Sequence, residues 1–183
     1  MKLQKIDTTQ DKGIYLVLAA SLIMFAVFGR LLPHPPNFTP IAAVAIFGGA
    51  ILPRRYALSL PLAAMIISDL VIGLHPLILF TWGSFAAIAV LSSHYMKRLN
   101  VVWIIGASLS ASVLFYLISN LGVWLQGTMY PMTAAGLINC YYMALPFFRN
   151  TVLGDSVFSA TLFGLYALAY TLASNRAERV PNQ

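Results

Sequence analysis

Residues 120–155, NLGVWLQGTMYPMTAAGLINCYYMALPFFRNTVLGD, decide how this chain is organised. The stretch lies between two long apolar runs and holds most of the side chains able to recognise another molecule. These are Asn120, Trp124, Gln126, Tyr130, Asn139, Cys140, Tyr141, Tyr142, Arg149, Asn150 and Asp155. A plain connector between helices is short. This one is long, contains two prolines and four glycines, and has an apolar middle, Ala134 to Leu145, that reads as a short helix. The stretch reads as a cap or re-entrant segment closing a pocket at one end of a membrane protein.

Composition places the rest of the chain around it. Of the 183 residues, 60% are hydrophobic and only 9% charged, and mean hydropathy is +0.81. A soluble domain carries about 25% charge, so an aqueous globule is excluded. The expectation is one integral membrane domain over residues 1–183, with a polar tail at 1–12, a bundle at 13–173 and a C-terminal tail at 174–183. The net charge of +6 does not signal nucleic acid, because the cations sit in short clusters between apolar runs. The first run is long and no small-residue cleavage site follows it, so it reads as a retained helix. A single cysteine excludes an internal disulfide and a multi-cysteine metal site. No cofactor is called for.

Six apolar runs are expected as spans: Gly13 to Leu32, Ile41 to Leu52, Tyr56 to Gly73, Leu77 to Met96, Val101 to Gln126, and about Asn150 to Ala173. The fold class is therefore all-α, with six transmembrane helices and a long loop with a short helix between the fifth and sixth. A span needs about 20 apolar residues for a ~30 Å core. The second run is short for that, and its Ala45-x-x-x-Gly49 offers a small-residue face where another helix can approach closely. Thr39-Pro40 and Asn100 read as helix starts. With six spans, four segments share one side: the N-terminal tail, the Arg54-Arg55 turn, the Lys97-Arg98 turn and the C-terminal tail. They hold nine of the 11 cations, and only Arg30 and Arg149 lie opposite. Positive-inside bias then puts both termini in the cytoplasm.

That topology gathers three segments outside: Arg30–Thr39, Asp69–Pro76 and Asn120–Asp155. Candidate binding residues are Asn37, Asp69, Asn120, Trp124, Tyr130, Asn139, Arg149, Asn150 and Asp155. Ionisable groups at membrane depth are costly and functional suspects by default; the plainer reading pairs Asp69 and Asp155 with Arg30 and Arg149. His34 and His75 sit beside prolines in turns and read as solvated. With Asp69 and Cys140 they form no helical i, i+4 metal pattern. Cys140 has no local base and reads as an inert buried thiol. The aromatics fit an interfacial belt or stacking walls for a flat solute, and Asn120 shares a helical face with Trp124.

Several segments carry a resemblance. They are Pro36-Asn37-Phe38-Thr39-Pro40-Ile41, Phe47-Gly48-Gly49-Ala50, Ser68-Asp69-Leu70, Asn120-Leu121-Gly122-Val123-Trp124, Tyr130-Pro131, Cys140-Tyr141, Pro146-Phe147-Phe148-Arg149-Asn150-Thr151 and Gly154-Asp155. Together they resemble an uncharacterised family of small bacterial membrane proteins over about residues 14–172. That family is in turn similar to the substrate-binding S components of energy-coupling-factor (ECF) vitamin transporters. The likeness implies six helices, cytoplasmic termini and a small-molecule site beneath the outer loops. It also implies a transmembrane and ATPase module as partner. S components dock such a module through small residues spaced four apart on the first helix. Ala19-Ala20-Ser21-Leu22-Ile23-Met24-Phe25-Ala26 has no Ala-x-x-x-Ala, which leaves a solitary carrier or another docking face open. No Gly-x-x-x-x-Gly-Lys motif occurs, so ATP hydrolysis would belong to another chain.

The function expected is uptake across a bacterial inner membrane: binding of a small, vitamin-like or aromatic solute from the extracytoplasmic side. Two other classes remain. One is an intramembrane enzyme, for which there are two isolated acids and no nucleophile–base signature. The other is a non-catalytic subunit whose aromatic cap binds a protein.

Overall fold

A helix that is apolar all round is stable only where neighbours cover it on every side, and Ile41–Ile51, IAAVAIFGGAI, is such a helix. The computed structural model describes residues 12–96 and 99–178. Lys2, Lys5, Lys97, Arg98 and Arg179, five of the cations behind the expected orientation, lie outside the described residues. Among those described there are seven α-helices: α1 Lys12–Leu31, α2 Ile41–Ile51, α3 Arg54–Ile72, α4 Ile78–Tyr95, α5 Val101–Leu125, α6 Ala134–Met143 and α7 Leu145–Glu178. All eleven residues of α2 are buried, and it packs against α1, α3, α4, α5 and α7. The short second run is thus the hub of the bundle.

Lipid is as apolar as leucine, so helices in a membrane associate through close van der Waals packing and not through water exclusion. The glycines of α2 make that packing possible. A Cβ on Gly49 would lie 2.7 Å from Ser92 Cβ and 2.9 Å from the Ala89 carbonyl oxygen, and one on Gly48 would meet Leu60. The small-residue face thus receives α4. On the other side Phe47 packs edge-on against Phe163 and Tyr166 of α7, with ring centroids 5.1 and 5.7 Å away.

Four helices, α1, α4, α5 and α7, are long and apolar enough to cross a membrane; α2 and the apolar part of α3 are shorter. Among the described residues the fold is all-helical, and its long apolar helices are those of a multi-pass membrane protein. Two helix starts, those of α5 and α6, carry a side-chain cap. Asn100 caps α5, its Oδ1 accepting from Trp103 N–H at 3.0 Å. Thr39, by contrast, is not a cap: Pro40 holds that position with no side-chain bond. The last helix starts at Leu145, five residues before the expected Asn150. Pro146 in a first helical turn interrupts nothing, because the N–H it lacks is unpaired there anyway.

The α1–α2, α3–α4, α5–α6 and α6–α7 connections lie at one end of the bundle. Asn150 Nδ2 of α7 donates to the Pro36 carbonyl at 3.1 Å. Phe80 of α4 fills the space beside Gly122 of α5.

Candidate functional site

Two adjoining cavities open at that end. The first, about 470 Å³, is lined from α1, α2 and the loop between them, and from α3, α4, α5 and α7, with Arg30, His34, Asn37, His75, Phe115 and Asp155 among its walls. The second, about 320 Å³, lies under α6 and is lined by Pro36, Tyr116, Asn120, Tyr130, Cys140 and Phe148 among others. Asn37, Thr81, Phe115 and Thr151 belong to both.

Asn37 stands between the cavities because of its turn. Phe38 N–H bonds the Pro35 carbonyl at 3.0 Å, which places Pro36 second and Asn37 third in a four-residue turn. Asn37 has φ 64°, the left-handed conformation this kind of turn needs at its third position and asparagine tolerates. Gly154 lets α7 approach the same loop: a Cβ there would sit 3.1 Å from Phe38 Cα.

One wall is an ion-pair cluster. Arg30 Nη1 lies 2.6 Å from Asp69 Oδ1 and donates to Ser68 Oγ at 2.7 Å. Trp82 Nε1 donates to Asp69 Oδ2 at 2.7 Å. His75 Nδ1 accepts from Leu77 N–H, which leaves its Nε2 facing Asp69 Oδ2 at 3.8 Å. Asp69 is fully buried, so a charge from α1 and an indole from α4 satisfy a carboxylate on α3.

Asp155 is arranged otherwise. It is buried, lines the first cavity and accepts from Ser112 Oγ of α5 at 2.6 Å. The expected Arg149 pairing is not formed: Arg149 is exposed. Six residues along a helix turn a side chain through about 240°, which sets the two on different faces. Among the described residues, Asp155 has no cation in salt-bridge range.

The roof is held by Tyr116, which the sequence reading passed over, together with residues singled out as recognition groups. Tyr116 Oη donates to the Tyr141 carbonyl at 2.6 Å and Tyr141 Oη to the Leu117 carbonyl at 2.8 Å. Trp124 Nε1 donates to the Pro131 carbonyl at 3.0 Å, and the Cys140 thiol to the Asn120 carbonyl at 3.4 Å. Burial pushes the Cys140 thiol above its usual pKa. Asn120 Nδ2 bonds back to the Tyr116 carbonyl at 2.8 Å.

Of the nine sequence candidates, Asn37, Asn120, Tyr130 and Asp155 line a cavity. Asp69 stands behind Arg30 and His75. Trp124 and Asn150 tie the roof and α7 to loops, while Asn139 and Arg149 are exposed. Among the described residues no three of His, Cys, Asp and Glu gather around a common point. The sequence reading passed over Thr81, Trp82, Ser112, Phe115 and Thr151. Ser108, Ser112, Phe115 and Ser119 fall on one face of α5 by helical spacing, the one signal that pointed to it.

The chain belongs to a family of unknown function (DUF6580), whose model matches residues 10–178. No curated protein and no solved structure matches it.

Proposed function

We propose that this protein is a six-span uptake protein, similar in layout to ECF S components, that binds a small ring-containing solute from outside a bacterial inner membrane. The observation carrying the reading is the pair of cavities at one end of the bundle, sharing Asn37, Thr81, Phe115 and Thr151. Each falls in the ~300–1,000 Å³ range of small-molecule sites, whose walls are mainly apolar with a few placed polar groups. Phe115 and Tyr116 supply flat walls. Arg30, Asn37, Asn120 and Asp155 supply charge and hydrogen bonds, with Asp69 holding Arg30 in place. Cation clustering supports the orientation, with the cavity end outward and both termini inside. Energy would come from a partner chain or from rocking of the bundle.

The test is calorimetric titration of detergent-purified protein with a panel of vitamins and aromatic metabolites. Saturable binding of one compound, weakened at least tenfold by Phe115→Ala, is expected. A folded protein that binds none of them would refute the reading.

A further inference from the structure

The contact between Ser112 and Asp155 fixes the register of two antiparallel helices. Stepping four residues from each, away from the cavities, brings Ser108 of α5 opposite Ser159 of α7, about 6 Å deeper. Both serines are buried, at 2% and 1% exposure. Both hydroxyls lack a hydrogen-bond partner among the described residues. A buried hydroxyl left unpaired carries its desolvation cost uncompensated, and by this register the two lie one turn below the carboxylate, a polar cluster inside an apolar bundle. Ser112, itself fully buried, donates to Asp155 and also lies 3.1 Å from the Ser108 carbonyl.

The geometry points to a sodium-binding site between α5 and α7, formed by the Asp155 carboxylate with the hydroxyls of Ser108, Ser112 and Ser159. Every donor is a hard oxygen, which suits an alkali or alkaline-earth ion over a transition metal. A single carboxylate balances a single positive charge, whereas calcium sites gather several acids. Neutrality matters at this depth, where an uncompensated carboxylate is expensive. Asp155 lines the first cavity, which gives the ion a path from that end. The inference stands apart from the nature of the solute, because the ion's effect is read without any solute present.

Thermal unfolding of the purified protein is followed while sodium chloride replaces choline chloride at constant ionic strength, with potassium chloride as a parallel series. A saturable rise in Tm is expected with sodium, larger than with potassium. Asp155→Asn should abolish it, and Ser108→Ala with Ser159→Ala should raise the half-saturating sodium concentration at least tenfold. Equal Tm values in all three salts would overturn the proposal, as would a sodium response unchanged in the double serine variant. If Asp155→Asn does not fold, the serine variant decides the matter, since removing unpaired hydroxyls leaves the fold intact.

Discussion

A carboxylate taken out of water costs several kcal/mol unless a cation or donors meet it, and Asp69 and Asp155 meet that demand differently. Asp69 has Arg30 at 2.6 Å and the Trp82 indole at 2.7 Å; Asp155 has a serine. Removing one partner of a buried ion pair strands the other and costs about 3–5 kcal/mol. Arg30→Gln should therefore lower the Tm of the purified protein by many degrees. The double variant Arg30→Met with Asp69→Leu should recover most of the loss, because no charge is then left alone. A single variant as stable as the parent would show that Asp69 does not depend on Arg30. Cys140 makes a chemical prediction. Its thiol is buried and its pKa raised by that burial, so less thiolate is present at pH 7.5 than in an exposed cysteine. Maleimide labelling of folded protein should be at least tenfold slower than in denaturant. Rapid stoichiometric labelling of the folded state would contradict the buried position under α6.

Helices here are held by how closely their backbones approach, and glycine marks the points of contact. Gly49→Ala would put a methyl group 2.7 Å from Ser92 Cβ and force α2 from α4, an overpacking cost of about 1–3 kcal/mol. Gly83 and Gly106 are helical glycines with nothing within 4 Å of an added Cβ. Alanine at either should be neutral or stabilising by up to about 1 kcal/mol. Equal Tm losses at all three positions would argue against α2 as the packing hub. The roof depends on two tyrosine hydroxyls that donate reciprocally between α5 and α6. Tyr116→Phe with Tyr141→Phe should speed amide exchange in residues 127–143 without lowering global stability much, and unchanged exchange there would show that other contacts hold α6. Elements of this kind were readable from apolar run length, from Asn100 and from the Ala45/Gly49 spacing. The start of α7 was not, because Pro146 reads as a breaker until its place in a first turn is known.

Across the whole molecule, the end that gathers polar residues could be read from the order of apolar runs, and the structure does bring the 30–39, 69–76 and 120–155 segments to one end. Which side chains face the cavities could not be read, because that depends on helix phase and on where carbonyls are left over. Asn150 and Trp124 look like ligand groups in the sequence, yet they donate to the carbonyls of Pro36 and Pro131. Thr81, Phe115 and Thr151 look like ordinary helix residues, yet each lines both cavities. The same end-to-end asymmetry underlies the proposed orientation. Arg54 and Arg55 begin α3 at the end opposite the cavities, and moving arginine outward across a bilayer is disfavoured by the positive-inside bias. In a Cys140→Ala background, single cysteines at Met129, beside the second cavity, and at Tyr95, at the last turn of α4, read the two ends separately. Both parent side chains are exposed, at 71% and 68%. A membrane-impermeant maleimide applied to intact cells should label the Met129→Cys protein at once. It should reach the Tyr95→Cys protein only after permeabilisation. The reverse pattern would turn the cavities toward the cytoplasm, and uptake from outside would no longer be tenable for this bundle.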